Sequence, residues 1–182
     1  MSRYAMKKDA LVFLLGLVVL LSAQVTLADT LTVNIADGAY LQNSGQNRLL
    51  LGFDLPDELS GTEITFAELL VPLTAFIPDS SALAVECRPL LISWIPAEVA
   101  WDDLGDFLTS DVMAEQGTQF ATATEGAQEA YFDITDIVRS WQDTSVVNNG
   151  LILFYQTDNL PYFSCSRDEG APFGTVRFDF TH

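Results

Sequence analysis

The feature that most constrains the fold is a series of short apolar or alternating runs, each six to ten residues long, spread over residues 30–180. Runs of this length that are rich in β-branched and aromatic residues predict β-strands, since a helix shows a longer pattern with a period of 3.6 residues. The cleanest alternation is in Thr175–Phe180, where apolar side chains occupy every second position. The predicted strands are Thr30–Ile35, Arg48–Phe53, Ile64–Leu73, Ala82–Leu91, Ala127–Ile134, Gly150–Gln156, Tyr162–Arg167 and Thr175–Phe180.

One short helix interrupts this pattern. It is predicted to begin after Thr135, whose hydroxyl would cap it, with Asp136 at the positive end of the helix dipole. Ile137, Val138 and Trp141 would then face the core. Turn-forming clusters separate the strands, namely Asn43–Gly45, Leu59–Thr62, Ile77–Ser80 and Asn148–Gly150. About eight strands and one short helix predict an all-β fold, an antiparallel β-sandwich that is jelly-roll-like.

The N-terminal segment has the layout of a secretory signal peptide. Basic residues precede an apolar run from Leu11 to Leu21, and the small side chains of Thr26 and Ala28 suit a cleavage site before Asp29. The run is shorter than the roughly 20 residues that span a bilayer, which argues against an uncleaved membrane anchor. We therefore expect a signal peptide over residues 1–28 and a single β-sandwich domain over residues 29–182. The mature chain is expected to be periplasmic, cell-surface or extracellular, with no membrane span.

The charge of the chain limits its partners. The formal net charge is −17, and loss of three basic residues and one acidic residue with the signal takes it to −19. So negative a protein repels nucleic acid and anionic lipid, and it favours divalent cations or basic partners. Solubility in a salty medium is the alternative explanation of the same charge.

Cys87 and Cys165 are the two cysteines of the chain. An exported protein occupies a compartment where they can oxidise, and the alternation of each strand places both thiols on an inward face. A disulfide between them would close a long loop and stabilise the fold by roughly 4 kcal/mol. Two separate buried thiols are the alternative, because sequence carries no geometry.

Residue content argues against an enzyme. The one histidine is His182, so the chain cannot form a histidine-dependent catalytic triad or a multi-histidine metal site. No lysine follows residue 28, so the mature chain cannot use lysine as a nucleophile. A carboxylate pair of the glycosidase type remains available. In so acidic a chain some pair of carboxylates always lies at a suitable separation, so such a pair is not evidence for a glycosidase.

Several segments, taken in order, resemble the DNRLRE-domain family, which overlaps carbohydrate-binding module family 96 and disaggregatase-related domains. They are Ala36–Leu41, Arg48–Pro56, Ile64–Leu69, Trp94, Val99–Asp103, Tyr131–Trp141, Asn149–Leu153 and Phe163–Glu169. The resemblance covers nearly all of residues 29–182. It implies an all-β, jelly-roll-like module of exported or surface proteins, commonly attached to polysaccharide-active enzymes or adhesive proteins, and it implies no catalysis. The sequence differs from the family pattern in two ways. The stretch between the segments Ala36–Leu41 and Arg48–Pro56 is shorter, at Gln42–Asn47, and no catalytic domain is attached.

The candidate site residues follow from ligand chemistry. Aromatic faces bind sugar rings and polar groups bind hydroxyls, which selects a set of ligand-binding candidates that includes one arginine. These are Tyr40, Trp94, Trp101, Tyr162 and Arg167. The aromatic residues could instead belong to the core, and Arg167 could form a structural ion pair.

A calcium site is the second candidate. Asp102, Asp103 and Asp106 cluster beside Gly105 in a predicted loop, and calcium takes oxygen ligands. A solvated acidic loop is the alternative. We therefore expect a non-catalytic, carbohydrate-binding module with a polysaccharide as its partner and calcium as its one candidate cofactor. The second hypothesis is a structural or adhesive protein that binds a surface protein.

Overall fold

The computed structural model describes residues 28–43, 46–72, 74–75, 83–105, 109–114, 119–123, 129–155, 163–164 and 170–182. The predicted signal peptide, apart from its last residue, lies outside them. The strands are β1 (Asp29–Ile35), β2 (Asp37–Asn43), β3 (Gln46–Gly52), β4 (Glu63–Val71), β5 (Thr74–Ala75), β6 (Leu83–Pro89), β7 (Gln119–Ala123), β8 (Ala130–Asp133), β9 (Leu151–Tyr155), β10 (Phe163–Ser164) and β11 (Gly174–Thr181). The helix α1 is Thr135–Gln142, and short 3-10 turns lie at Asp57–Leu59 and Trp101–Leu104.

The strands form two main antiparallel sheets. One has the order β1-β11-β4-β8 and the other has the order β2-β3-β9-β6-β7. Eight of these strands pair as nested hairpins: β1 with β11, β3 with β9, β4 with β8, and β6 with β7. Pairing of the first strand with the last, the second with the second-last and so on inward is jelly-roll topology. The predicted all-β, jelly-roll-like sandwich is therefore confirmed.

The inner faces of both sheets and one face of α1 enclose the main core. Alternate residues of β3 and β4 point inward, so Leu49 and Leu51 of β3 belong to the same buried cluster as Leu69 of β4. The largest fully buried side chains include Phe132 and Phe178. From α1, Ile137, Val138 and Trp141 join this core, as the helical pattern predicted.

A second, smaller core lies on the outer face of the five-stranded sheet. Residues 90–105 and 109–114, called here the covering loop, follow β6 and pack over Leu50, Ile152 and Phe154. The ends of this loop meet, since the Leu91 backbone N–H donates to the Val112 carbonyl at 2.8 Å. The molecule thus has three layers over much of this sheet.

The start of α1 differs from the prediction. The N-cap residue is Ile134, and the Thr135 hydroxyl does not cap the helix. It donates instead to Asp133 at 2.6 Å and accepts the backbone N–H of Ala67 at 2.9 Å, which fastens the helix to β4. The Asp133 carboxylate accepts the Thr135 N–H at 3.0 Å and so satisfies a donor of the first turn.

No helix in the described part of the chain combines the length and apolar character needed to cross a membrane.

Candidate functional site

Trp101 belongs to the covering loop, and its side chain lies in the interior between this loop and the sheet. It is 9% exposed, and its ring is stacked on the buried side chain of Arg48, with 3.7 Å between the guanidinium carbon and the ring centroid. Arg48 also donates to the Gly105 carbonyl at 2.8 Å. Trp101 is thus a contact between sheet and loop, and its ring is not available to a ligand at the surface.

Trp94 occupies a different position, at the end of the sandwich. It is half-buried, and its indole N–H donates to the Asn149 carbonyl at 2.8 Å. The far edge of the ring lies against Gly52 at the end of β3. An indole held by one hydrogen bond and one backbone contact keeps a fixed orientation while part of its surface stays open to solvent.

A polar cleft of about 270 Å³ opens on one side of Trp94. Three parts of the chain build it: the segments on either side of the strand pair β2–β3, the covering loop, and the connection from α1 to β9. The lining residues are Asp37, Gly52, Phe53, Asp54, Ser93, Trp94, Pro96, Asn148, Asn149 and Gly150.

Backbone geometry fixes the floor of the polar cleft. The Asn148 amide donates to the Phe53 carbonyl at 2.8 Å and accepts the Gly150 N–H at 3.0 Å. Gly150 has φ +87°, and an added Cβ would collide with the carbonyl oxygen of Leu51. This position therefore requires glycine, and the turn it makes brings the Asn149 carbonyl to Trp94.

An apolar cleft of about 550 Å³ lies beside the first and shares Ser93 and Trp94 with it. Its other lining residues are Ile92, Ile95, Glu98, Val99 and Asp103. The Ile95 side chain is 55% exposed, which is unusual for an isoleucine beside a concave surface. Trp94 thus forms a shared wall between two clefts.

The remaining aromatic and arginine candidates do not join Trp94 in the described structure. Tyr40 lies on β2 and packs against the main core, on the opposite face of the sheet from the second core and Trp94. Tyr162 and Arg167 lie outside the described residues. Of the five predicted ligand-binding residues, Trp94 is the one that lines the described clefts.

One of the three calcium candidates, Asp103, has a hydrogen-bond partner within its own turn. The Asp103 carboxylate accepts the Ala100 backbone N–H at 2.8 Å and thereby caps the 3-10 turn, and the Gly105 carbonyl accepts from Arg48. Asp106 lies outside the described residues, within which no group of three or more acidic, histidine or cysteine side chains converges. The calcium site stays a prediction.

Cys87 is a fully buried thiol that points into the main core, as its strand phase predicted, and burial raises its pKa. It has no disulfide partner among the described residues. The predicted partner Cys165 lies outside them, so the disulfide also stays a prediction.

Sequence reasoning missed most of the polar cleft. Asn148 and Gly150 were identified as turn residues, and Asp37 and Asp54 lie at the ends of strands, where charged residues are common. Only the pairing of distant strands brings these positions together. No protein-family model matches the chain, and no curated protein matches it either.

Proposed function

We propose that this chain is an exported, non-catalytic module that binds a polysaccharide at the paired clefts around Trp94. The observation that carries the proposal is the fixed Trp94 indole, which forms a wall of both clefts and is held by the Asn149 carbonyl at 2.8 Å. A rigid aromatic wall with polar groups beside it suits a sugar, which presents apolar C–H faces and a ring of hydroxyls.

The polar groups of the clefts suit hydroxyl recognition. Asp37 and Asp54 offer acceptors in the polar cleft, and Ser93 offers a hydroxyl at the boundary of the two clefts. The jelly-roll topology agrees with the resemblance to the DNRLRE-domain family, whose members are modules of exported proteins. The acidic surface also agrees with a partner other than nucleic acid.

Binding to a glycan array tests the proposal. We expect the full-length chain to bind one class of polysaccharide in a dose-dependent manner, and Trp94→Ala to abolish that binding without unfolding the protein. Tyr131→Ala is the matched control, because Tyr131 is also an exposed aromatic residue, at 50%, but lies on β8 in the other sheet. Arrays run with calcium and with a chelator test the predicted calcium dependence as well.

A structural or adhesive role is the second candidate, and exposed apolar side chains favour it. Leu91 and Ile95 of the covering loop are 41% and 55% exposed, and Val147 in the connection to β9 is 71% exposed. Apolar side chains at a protein surface can dock another protein. A blank array with a folded protein, together with loss of a protein partner on Ile95→Asp, would favour this role over glycan binding.

A further inference from the structure

We infer that the clefts around Trp94 select sugars that carry protonated amino groups and reject uronic and sulfated sugars. This inference rests on the proposed function, because it names the chemical class of glycan for the same site. It is carried by the charge of the groups that line the site on both sides of the aromatic wall.

Carboxylates line both clefts. Asp37 and Asp54 lie in the polar cleft, and Glu98 and Asp103 lie in the apolar cleft. All four are exposed, and exposed carboxylates are charged at neutral pH. The described lining residues include no lysine or arginine to balance them.

The arginines that could compensate this charge lie elsewhere. Arg48 is buried beneath the covering loop, where it stacks on Trp101, and Arg88 is largely buried on β6, where it pairs with Glu86. Arg139 and Arg177 lie on α1 and β11, at the four-stranded sheet and its helix, and both have acidic neighbours there. Arg167 lies outside the described residues. The clefts are therefore acidic within a chain that is already strongly acidic.

An acidic cleft with an aromatic wall has a definite selectivity. A sugar ammonium group can donate to a carboxylate in a charge-assisted hydrogen bond, and it is also attracted to the face of an indole ring. A sugar carboxylate or sulfate would meet like charge on both sides of Trp94 with no arginine fork to receive it. Charge thus favours glucosamine-type polymers and disfavours anionic ones.

Oligomers of equal length that carry positive, no or negative charge test this inference. We would measure binding of glucosamine, N-acetylglucosamine and galacturonic acid oligomers to the full-length chain at about pH 6, where carboxylates are ionised and sugar amines are protonated. We expect the glucosamine oligomer to bind most tightly and the galacturonic acid oligomer not to bind. The double variant Asp37→Asn, Asp54→Asn should weaken glucosamine binding by about fivefold per carboxylate and leave N-acetylglucosamine binding unchanged.

The control must distinguish binding by the carboxylates of the clefts from attraction of the amine to the negative charge of the whole protein. The double variant Glu63→Gln, Asp136→Asn also removes two negative charges, but from exposed positions on β4 and α1. It should change glucosamine binding less than twofold. An equal loss in both double variants would show that net charge alone attracts the amine and would overturn the inference.

Two further results separate this inference from the proposed function. Trp94-dependent binding in which the N-acetylglucosamine or galacturonic acid oligomer equals the glucosamine oligomer would overturn the charge selectivity and leave glycan binding intact. The same holds for galacturonic acid binding that requires calcium, because a bridging cation would then reverse the selectivity. Binding of none of the three oligomers by a folded protein would overturn the inference, and a blank glycan array with the same protein would overturn the proposed function as well.

Discussion

The guanidinium carbon of Arg48 lies 3.7 Å from the centroid of the Trp101 ring, and both side chains are buried. Arg48 belongs to β3 and Trp101 to the covering loop, so the stack joins the sheet to the layer that carries Trp94. A desolvated cation over an indole face is worth about 2 kcal/mol. The position of the clefts therefore depends on a contact that lies underneath them.

The two neighbouring tryptophans are expected to behave differently on substitution. Trp101→Ala removes a buried ring and leaves Arg48 with an exposed face, so it should lower the free energy of unfolding by about 3–5 kcal/mol. Trp94 is half-buried, and Trp94→Ala should lower it by about 1–2 kcal/mol. Urea unfolding followed by circular dichroism measures both. Equal losses would contradict the assignment of Trp101 to the interior and Trp94 to the site.

A buried ion pair lies on the same outer face of the sheet. Glu86 is 1% exposed, and its Oε2 atom accepts from Arg88 at 2.6 Å, while its Oε1 atom has no hydrogen-bond partner among the described residues. Arg88→Met would leave the carboxylate buried without a counter-charge, so we expect a loss of about 3–5 kcal/mol in the free energy of unfolding.

A double variant tests whether the unpaired buried charge causes this loss of stability. Glu86→Leu, Arg88→Met replaces both charges with apolar groups and should recover most of the stability that Arg88→Met loses. Asp136→Asn is the control at an exposed pair, 3.6 Å from Arg139, and should cost less than about 1 kcal/mol. If the double variant were as unstable as Arg88→Met, the buried charge could not be the cause.

The sandwich was predictable because most of its strands show their phase in the sequence. The strands β2, β5 and β7 were not predicted. Of these, β2 was missed because Asp37-Gly38 is typical of a turn. The structure gives a different reason for this glycine: a Cβ at Gly38 would lie 2.5 Å from the Phe173 ring. A residue that marks turns locally serves here to admit a distant aromatic side chain, which sequence periodicity does not reveal.

The third layer and the polar cleft could not be derived in the same way. The run Leu49-Leu50-Leu51 does not alternate, and such a run is the signal of a strand buried on both faces. That signal indicates that a further segment packs on the outer face of the sheet, but it does not identify the segment. The answer depends on contacts between residues far apart in the chain, such as Trp94 with Asn149.

The turn after α1 predicts a local pH dependence. The Ser145 side chain and the Ser145 backbone N–H, which donates to Asp143 Oδ1 at 2.8 Å, hold the pKa of Asp143 below its usual range. The Ser145 hydroxyl shares its proton between Asp143 and the Ser140 carbonyl, which lies 3.1 Å away. A lowered pKa in the folded state adds stability that is present above the unfolded pKa of about 4 and is lost as the pH falls through the folded value. Ser145→Ala should raise the pKa of Asp143, which a carboxyl-carbon NMR titration measures. An unchanged titration midpoint would contradict this account.

The buried position of Cys87 predicts that its thiol is protected from alkylation in the folded protein. In the variant Cys165→Ser it is the one cysteine left in the chain, and burial both blocks access and raises its pKa, so the reactive thiolate is scarce. We expect iodoacetamide to label it only after unfolding in urea, as mass spectrometry would show. Labelling of the folded variant would contradict the buried position.

The wild-type chain answers the remaining question about the same residue. Unfolded without a reductant, a protein with a Cys87–Cys165 disulfide takes up no label, and a protein with two thiols takes up two. Because a bridge across so long a loop would stabilise the fold by roughly 4 kcal/mol, the first result should be accompanied by a large fall in the urea midpoint on reduction. The second result would mean that the core packing around Cys87, and not a covalent bond, holds β6 in place.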